Sequence, residues 1–131
     1  MKNTLNLLLF TIILISCSSN RSISQIDQKL DHTNGKEIVL QKVLNDSRCP
    51  EGVQCIWEGE VVIQVACYEN GKIREEKQFT LRSNNQEEIL EWFRLHLPKS
   101  EKTLQTVRVL PLKKRKEKQT LPIEYSIVLG Y

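Results

Sequence analysis

Residues 60–82 constrain the fold most: an apolar run EVVIQVACYE at 60–69, the pair Asn70-Gly71, and a second run KIREEKQFTLR at 72–82. Val61, Ile63, Val65 and Cys67 recur at every second position, so an extended backbone places all four on one face. Asn70-Gly71 is the strongest short signal for a tight hairpin, because a type I′ turn needs positive φ at both central residues. On the returning strand Ile73, Phe79 and Leu81 share a face, with mostly charged residues opposite. One hairpin is only marginally stable in water, so the chain must supply further strands.

It does so on both sides. Glu37 to Asn45 (EIVLQKVLN) is rich in β-branched and apolar residues, and Leu104 to Leu110 is strand-like until Pro111, which has no N–H for a ladder. At the end, Ile123, Tyr125, Ile127 and Leu129 alternate with Glu124, Ser126 and Val128. Strands without an intervening helical pattern predict an all-β fold over residues 37–131, a small antiparallel β-sandwich of immunoglobulin-like or barrel-like form. The segment 85–97 (NQEEILEWFRLHL) reads as a short helix over that sandwich. Asn85 resembles an N-cap with Glu88 three residues on, and Ile89, Trp92, Phe93 and Leu97 fall on one helical face. A strand reading, with Phe93, Leu95 and Leu97 alternating, competes with it.

The first residues set the address. Lys2 precedes an apolar run from Leu5 to Ile15, which is shorter than the roughly 20 residues a membrane-spanning helix needs. The run ends in Leu14-Ile15-Ser16-Cys17, which resembles the lipobox of bacterial lipoprotein precursors, where a signal peptide is cut before a lipidated cysteine. The resemblance implies a signal peptide at 1–16, acyl chains such as palmitate on Cys17, and an anchored, non-spanning protein of the cell envelope. Ser18 in the next position resembles an outer-membrane sorting signal, with the periplasmic or surface face left open. Residues 17–36 are polar and read as the lipidated N-terminus and a flexible tether. Removing 1–16 from 131 residues leaves 115, enough for one domain, and removing Lys2 lowers the formal charge from +3 to +2. So small a charge argues against a nucleic-acid partner.

Between two strands lies the densest stretch of the chain, NDSRCPEGVQCIWEGE at 45–60. In an oxidising envelope Cys49 and Cys55 most simply pair, with Cys67 a core thiol on its strand; a Cys55–Cys67 pairing stays open at this point. Pro50 and Gly52 suit a turn inside the ring, and Trp57 is expected to seal the connection with its apolar face. Asp46 and Arg48 are placed to pair locally. The pattern DSRCP-x4-C-x-W-x-G, running from Asp46 to Gly59, is similar to one in small secreted and lipid-anchored bacterial proteins of uncharacterised activity. The likeness extends more loosely over most of 37–131, with Val107, Val109 and Pro111 and the closing Tyr125 and Leu129. Glu58 departs from the alanine more usual there. The resemblance implies a compact β-sandwich and no particular activity.

No catalytic constellation stands out. Neither G-x-S-x-G nor H-E-x-x-H occurs, and His32 and His96 sit in poor contexts for a base. The carboxylates Asp46, Glu51, Glu58 and Glu60 cluster near the cysteines, as solvated loop charges do. Lys113, Lys114, Arg115 and Lys116 form a basic run able to touch anionic headgroups or polysaccharide. The expectation is therefore a non-enzymatic binding or accessory module without cofactor or metal, held on a membrane by its lipid and meeting a protein or glycan partner. The alternative is an envelope metal-binding or redox protein using Cys49, Cys55 and Cys67.

Overall fold

The computed structural model describes residues 23–32, 34–114 and 124–131, and confirms an all-β chain with one short helix. Its elements are β1 (Ile23–Ile26), β2 (Lys36–Asp46), β3 (Val61–Glu69), β4 (Lys72–Leu81), α1 (Glu87–His96), β5 (Thr106–Leu110) and β6 (Ser126–Gly130). Among the described residues they form two three-stranded antiparallel sheets, ordered β2-β3-β4 and β1-β6-β5. Alternation drives β3: Val61, Ile63, Val65 and Cys67 all turn into the core, as expected. The hairpin turn carries positive φ at Asn70 and Gly71. Both sheets share one apolar core, in which Leu40, Ile63, Val65, Val107, Ile127, Leu129 and the helical Phe93 are fully buried.

Two edges decide the shape. The backbone N–H of Leu40 in β2 donates to the carbonyl of Asp27, just after β1, which draws the sheets together on that side. On the other side α1 spans the gap between β4 and β5. Trp92 packs edge-on against Phe79 of β4, and the Gln86 side chain accepts from the backbone N–H of Val107 in β5. The helix buries Ile89, Trp92 and Phe93, so the helical reading of 85–97 holds. Its start differs from expectation: the N-cap is Gln86, without a side-chain cap bond, while Asn85 pairs with Arg82 in an isolated bridge.

Three other expectations change. Ile23–Ile26 was placed in the tether, yet it pairs with β6 from Ile23 opposite Gly130 to Ile26 opposite Ile127. The free edge of β6 offers unpaired N–H and C=O groups that a nearby segment satisfies, and four residues carry too little periodicity to announce a strand. Ile73 leaves the core face, because a one-residue slip after Cys67 sets it opposite Tyr68 and leaves it half exposed. In the last strand Ile127 and Leu129 are buried and alternate with part-exposed Val128, as expected, whereas Ser126 departs from the pattern and is buried beside Ile127. Ile123 lies outside the described residues, as do the signal segment and Cys17.

Candidate functional site

The β2–β3 ladder does not stop where the strands do. The Ser47 N–H donates to the Glu60 carbonyl and the Cys49 N–H to the Glu58 carbonyl, each at 2.8 Å, extending the hairpin into the cysteine loop. Cys49 and Cys55 are disulfide-bonded, which settles the pairing, and Cys67 is a free, buried thiol on β3 whose titration burial pushes upward. Within the ring the Val53 N–H donates to the Pro50 carbonyl at 3.3 Å, with Gly52 at φ 72°, the position where a type II turn wants glycine. Gly59 is needed for a different reason. Its φ is 75°, and a Cβ there would overlap the Ser47 carbonyl on the facing strand.

Arg48 joins this loop to the other sheet. Its guanidinium holds the Asp46 carboxylate with two bonds, Nε to Oδ1 at 2.8 Å and Nη2 to Oδ2 at 2.7 Å. The remaining donors reach the carbonyls of Val109 at 2.5 Å and Pro111 at 2.9 Å, at the far end of β5. The Tyr125 hydroxyl, just before β6, donates to Asp46 at 3.4 Å. Lys113 closes the arrangement: its Nζ donates to the Asp46 carbonyl, and its own carbonyl accepts from the Glu51 N–H. Burial pushes the Asp46 carboxyl up, but the Arg48 hydrogen bonds and charge outweigh it and hold the group below its ordinary value. The Tyr125 phenol is raised by burial and by that carboxylate. A planar fork suits this task, since five fixed donors satisfy a carboxylate and two carbonyls at once.

The local pair expected from Asp46 and Arg48 is thus also a tie between the two sheets. Pro50 lies within the braced ring, and Gly59 is buried. Trp57 corrects the expectation: it does not seal the connection but stands 62% exposed, next to a fully exposed Ile56. Beneath the loop, between β3, β4 and β5, lies a cavity of about 230 Å³ with Val61, Leu81, Val107 and Val109 on its floor. On the outer side a shallow depression of about 460 Å³ is lined by Trp57, Glu58, Gly59, Arg82 and Asn84.

Of the carboxylates near the loop, Asp46, Glu58 and Glu60 are engaged separately, Asp46 by Arg48. Glu60 pairs with Arg82, Nε at 2.8 Å and Nη2 at 2.7 Å, and Glu58 accepts from the Ser83 hydroxyl. Among the described residues no group of three His, Cys, Asp or Glu side chains stands close enough to hold a metal ion. The metal reading loses its ligand set, because two of its three thiols are spent in the disulfide and the third lies in the core. The two histidines do not join the cysteines: His32 lies by Glu37, and His96 stacks on Trp92 within 3.2 Å of Glu75. Of the basic run, Lys113 is tied to the loop and Lys114 is exposed, while Arg115 and Lys116 lie outside the described residues. No helix among the described residues is long and apolar enough to cross a membrane. Compared with protein-family models, curated proteins and solved structures, the chain matches none of them.

Proposed function

We propose that this chain is a lipid-anchored protein of the bacterial cell envelope, on the outer membrane, that acts as a non-enzymatic binding or accessory module. The lipobox-like segment ending at Cys17 supports the anchor. The recognition end is supported by one observation: a loop fixed by the Cys49–Cys55 bond and the Arg48 ties nevertheless turns Ile56 and Trp57 out to solvent. Rigid aromatic side chains on a preorganised loop lose little entropy when a partner covers them.

Its placement relative to the anchor fits this role. Cys17 precedes Ile23 by six residues, a span of at most roughly 20 Å when fully extended. Ile23 lies opposite Gly130, at the Thr106 end of the second sheet. The Arg48 tie lies beyond the other end of β5, past Leu110, a further strand length of roughly 14 Å. The loop therefore points away from the anchored end, toward whatever the envelope presents.

Two measurements test the reading. A clickable palmitate analogue fed to cells should label the wild-type chain and not C17S; equal labelling of both removes the anchor. A photocrosslinking residue at position 57 should give a discrete adduct in intact cells, and one at exposed Lys72 should not. Indistinguishable patterns from the two positions remove the loop as the recognition end.

A further inference from the structure

We infer that the depression beside Trp57 is a saccharide-binding site, its ligand a neutral pyranose chain stacked on the indole; this rests on the binding-module reading above. The depression pairs one exposed aromatic face with three planar polar groups, those of Glu58, Arg82 and Asn84. A pyranose has the matching anatomy: one face of C–H groups and a rim of hydroxyls that both donate and accept. The indole takes the C–H face, while carboxylate, guanidinium and amide take the rim.

Two of those groups are already held in place. Arg82 is fixed by Glu60 through Nε and Nη2, which leaves Nη1 directed elsewhere, and Glu58 is fixed through Oε2 by Ser83, which leaves Oε1. Trp57 itself follows a disulfide ring and precedes the pinned Gly59. Groups oriented beforehand cost less to immobilise, which matters for a ligand that offers only hydroxyls against competing water. Charge selects among saccharides. Arg82 is balanced by Glu60, and Glu58 adds a negative charge, so the site carries no excess of cations to favour a polyanion or an anionic headgroup. The depression's lining is mostly polar, unlike the apolar floor of the cavity beneath the loop, with which it shares Glu58, Gly59 and Arg82.

The test uses the mature lipidated protein in zwitterionic detergent, since sugar-headed detergents would compete. The probes are the hexamer of β-1,4-linked N-acetylglucosamine and the hexamer of α-1,4-linked glucose, with heparin as the polyanion. Trp57 is exposed whereas Trp92 is buried, so a saturable blue shift of the indole emission on adding a hexamer reports stacking at Trp57. By calorimetry W57F should retain binding, W57A should weaken it by about tenfold or more, and N84A by a few-fold. No saturable signal from either hexamer at millimolar concentration overturns the proposal. So does affinity unchanged in W57A, or tighter binding of heparin than of both hexamers. A position-57 crosslink to a protein in cells, together with silent hexamer titrations, overturns the saccharide site and leaves the binding-module reading standing. Failure of both overturns both.

Discussion

Replacing Arg48 by Met keeps most of the side-chain volume and removes a guanidinium that bonds Asp46 of β2 and the carbonyls at the end of β5. In the wild type four hydrogen bonds leave the guanidinium, two to Asp46 and two to the carbonyls of Val109 and Pro111. The pair is mostly shielded, with the Arg48 and Asp46 side chains 16% and 12% exposed. Removing one partner of a fully buried pair costs about 3–5 kcal/mol, chiefly through the stranded charge, and residual solvent access discounts that to about 3 kcal/mol. In a domain of this size such a loss lowers Tm by roughly 12–20 °C. D46N keeps the shape while removing the charge and should cost about 1–2 kcal/mol. The double variant D46N/R48M should lose less than the sum of the two, because no carboxylate is then stranded. Urea unfolding followed by circular dichroism at neutral pH measures all three. The sign with pH is also set. A carboxylate held below its ordinary 3.8 stabilises the fold above that value and loses the contribution as pH falls through its folded value. Wild-type stability should therefore drop below about pH 4, more steeply than that of D46N. An R48M loss under about 1 kcal/mol, or strictly additive variants, refutes the assignment of Arg48 as an inter-sheet tie.

Removing the disulfide with C49S/C55S opens a ring of about seven residues and should cost about 2.4 kcal/mol by loop-closure entropy, read from the urea midpoint. An unchanged midpoint would mean that the Arg48 ties alone restrain the loop. G59A should lose about 3 kcal/mol from the positive φ and the overlap with Ser47, whereas G52A, with open space around its Cβ, should lose only the cost of its φ. Comparable losses for the two glycines would contradict the close approach at Gly59. Cys67 should ignore a thiol reagent in native protein and react once urea exposes it. Fast native labelling would show that β3 does not bury it.

Much of the first sheet was written in local pattern. Val61, Ile63, Val65 and Cys67 repeat at period two, and Asn70-Gly71 suits the positive φ of the turn, so β3 and the hairpin needed no distant information. The helix was legible because Ile89, Trp92 and Phe93 share a face. The disulfide followed from spacing and from the expectation of an oxidising compartment, and the Asp46–Arg48 pair from their separation of two residues. Each of these depends on neighbours along the chain.

Tertiary structure decided the rest. Ile23–Ile26 became a strand only because β6, over a hundred residues away, left an edge open. Ile73 lost its place in the core through a single slipped pairing that no periodicity announces. Arg48 reaches Val109 and Pro111 across more than sixty residues of chain, and Trp57 stands outside although its size and apolarity suggested the interior. Arg82 and Asn84 meet Trp57 because the chain just after β4 lies beside the loop. Local sequence determined which segments could be strands, helix or braced loop. Which edges, charges and aromatic faces were left to meet a partner depended on how two sheets close on one core, because burial and pairing are satisfied across the whole chain at once.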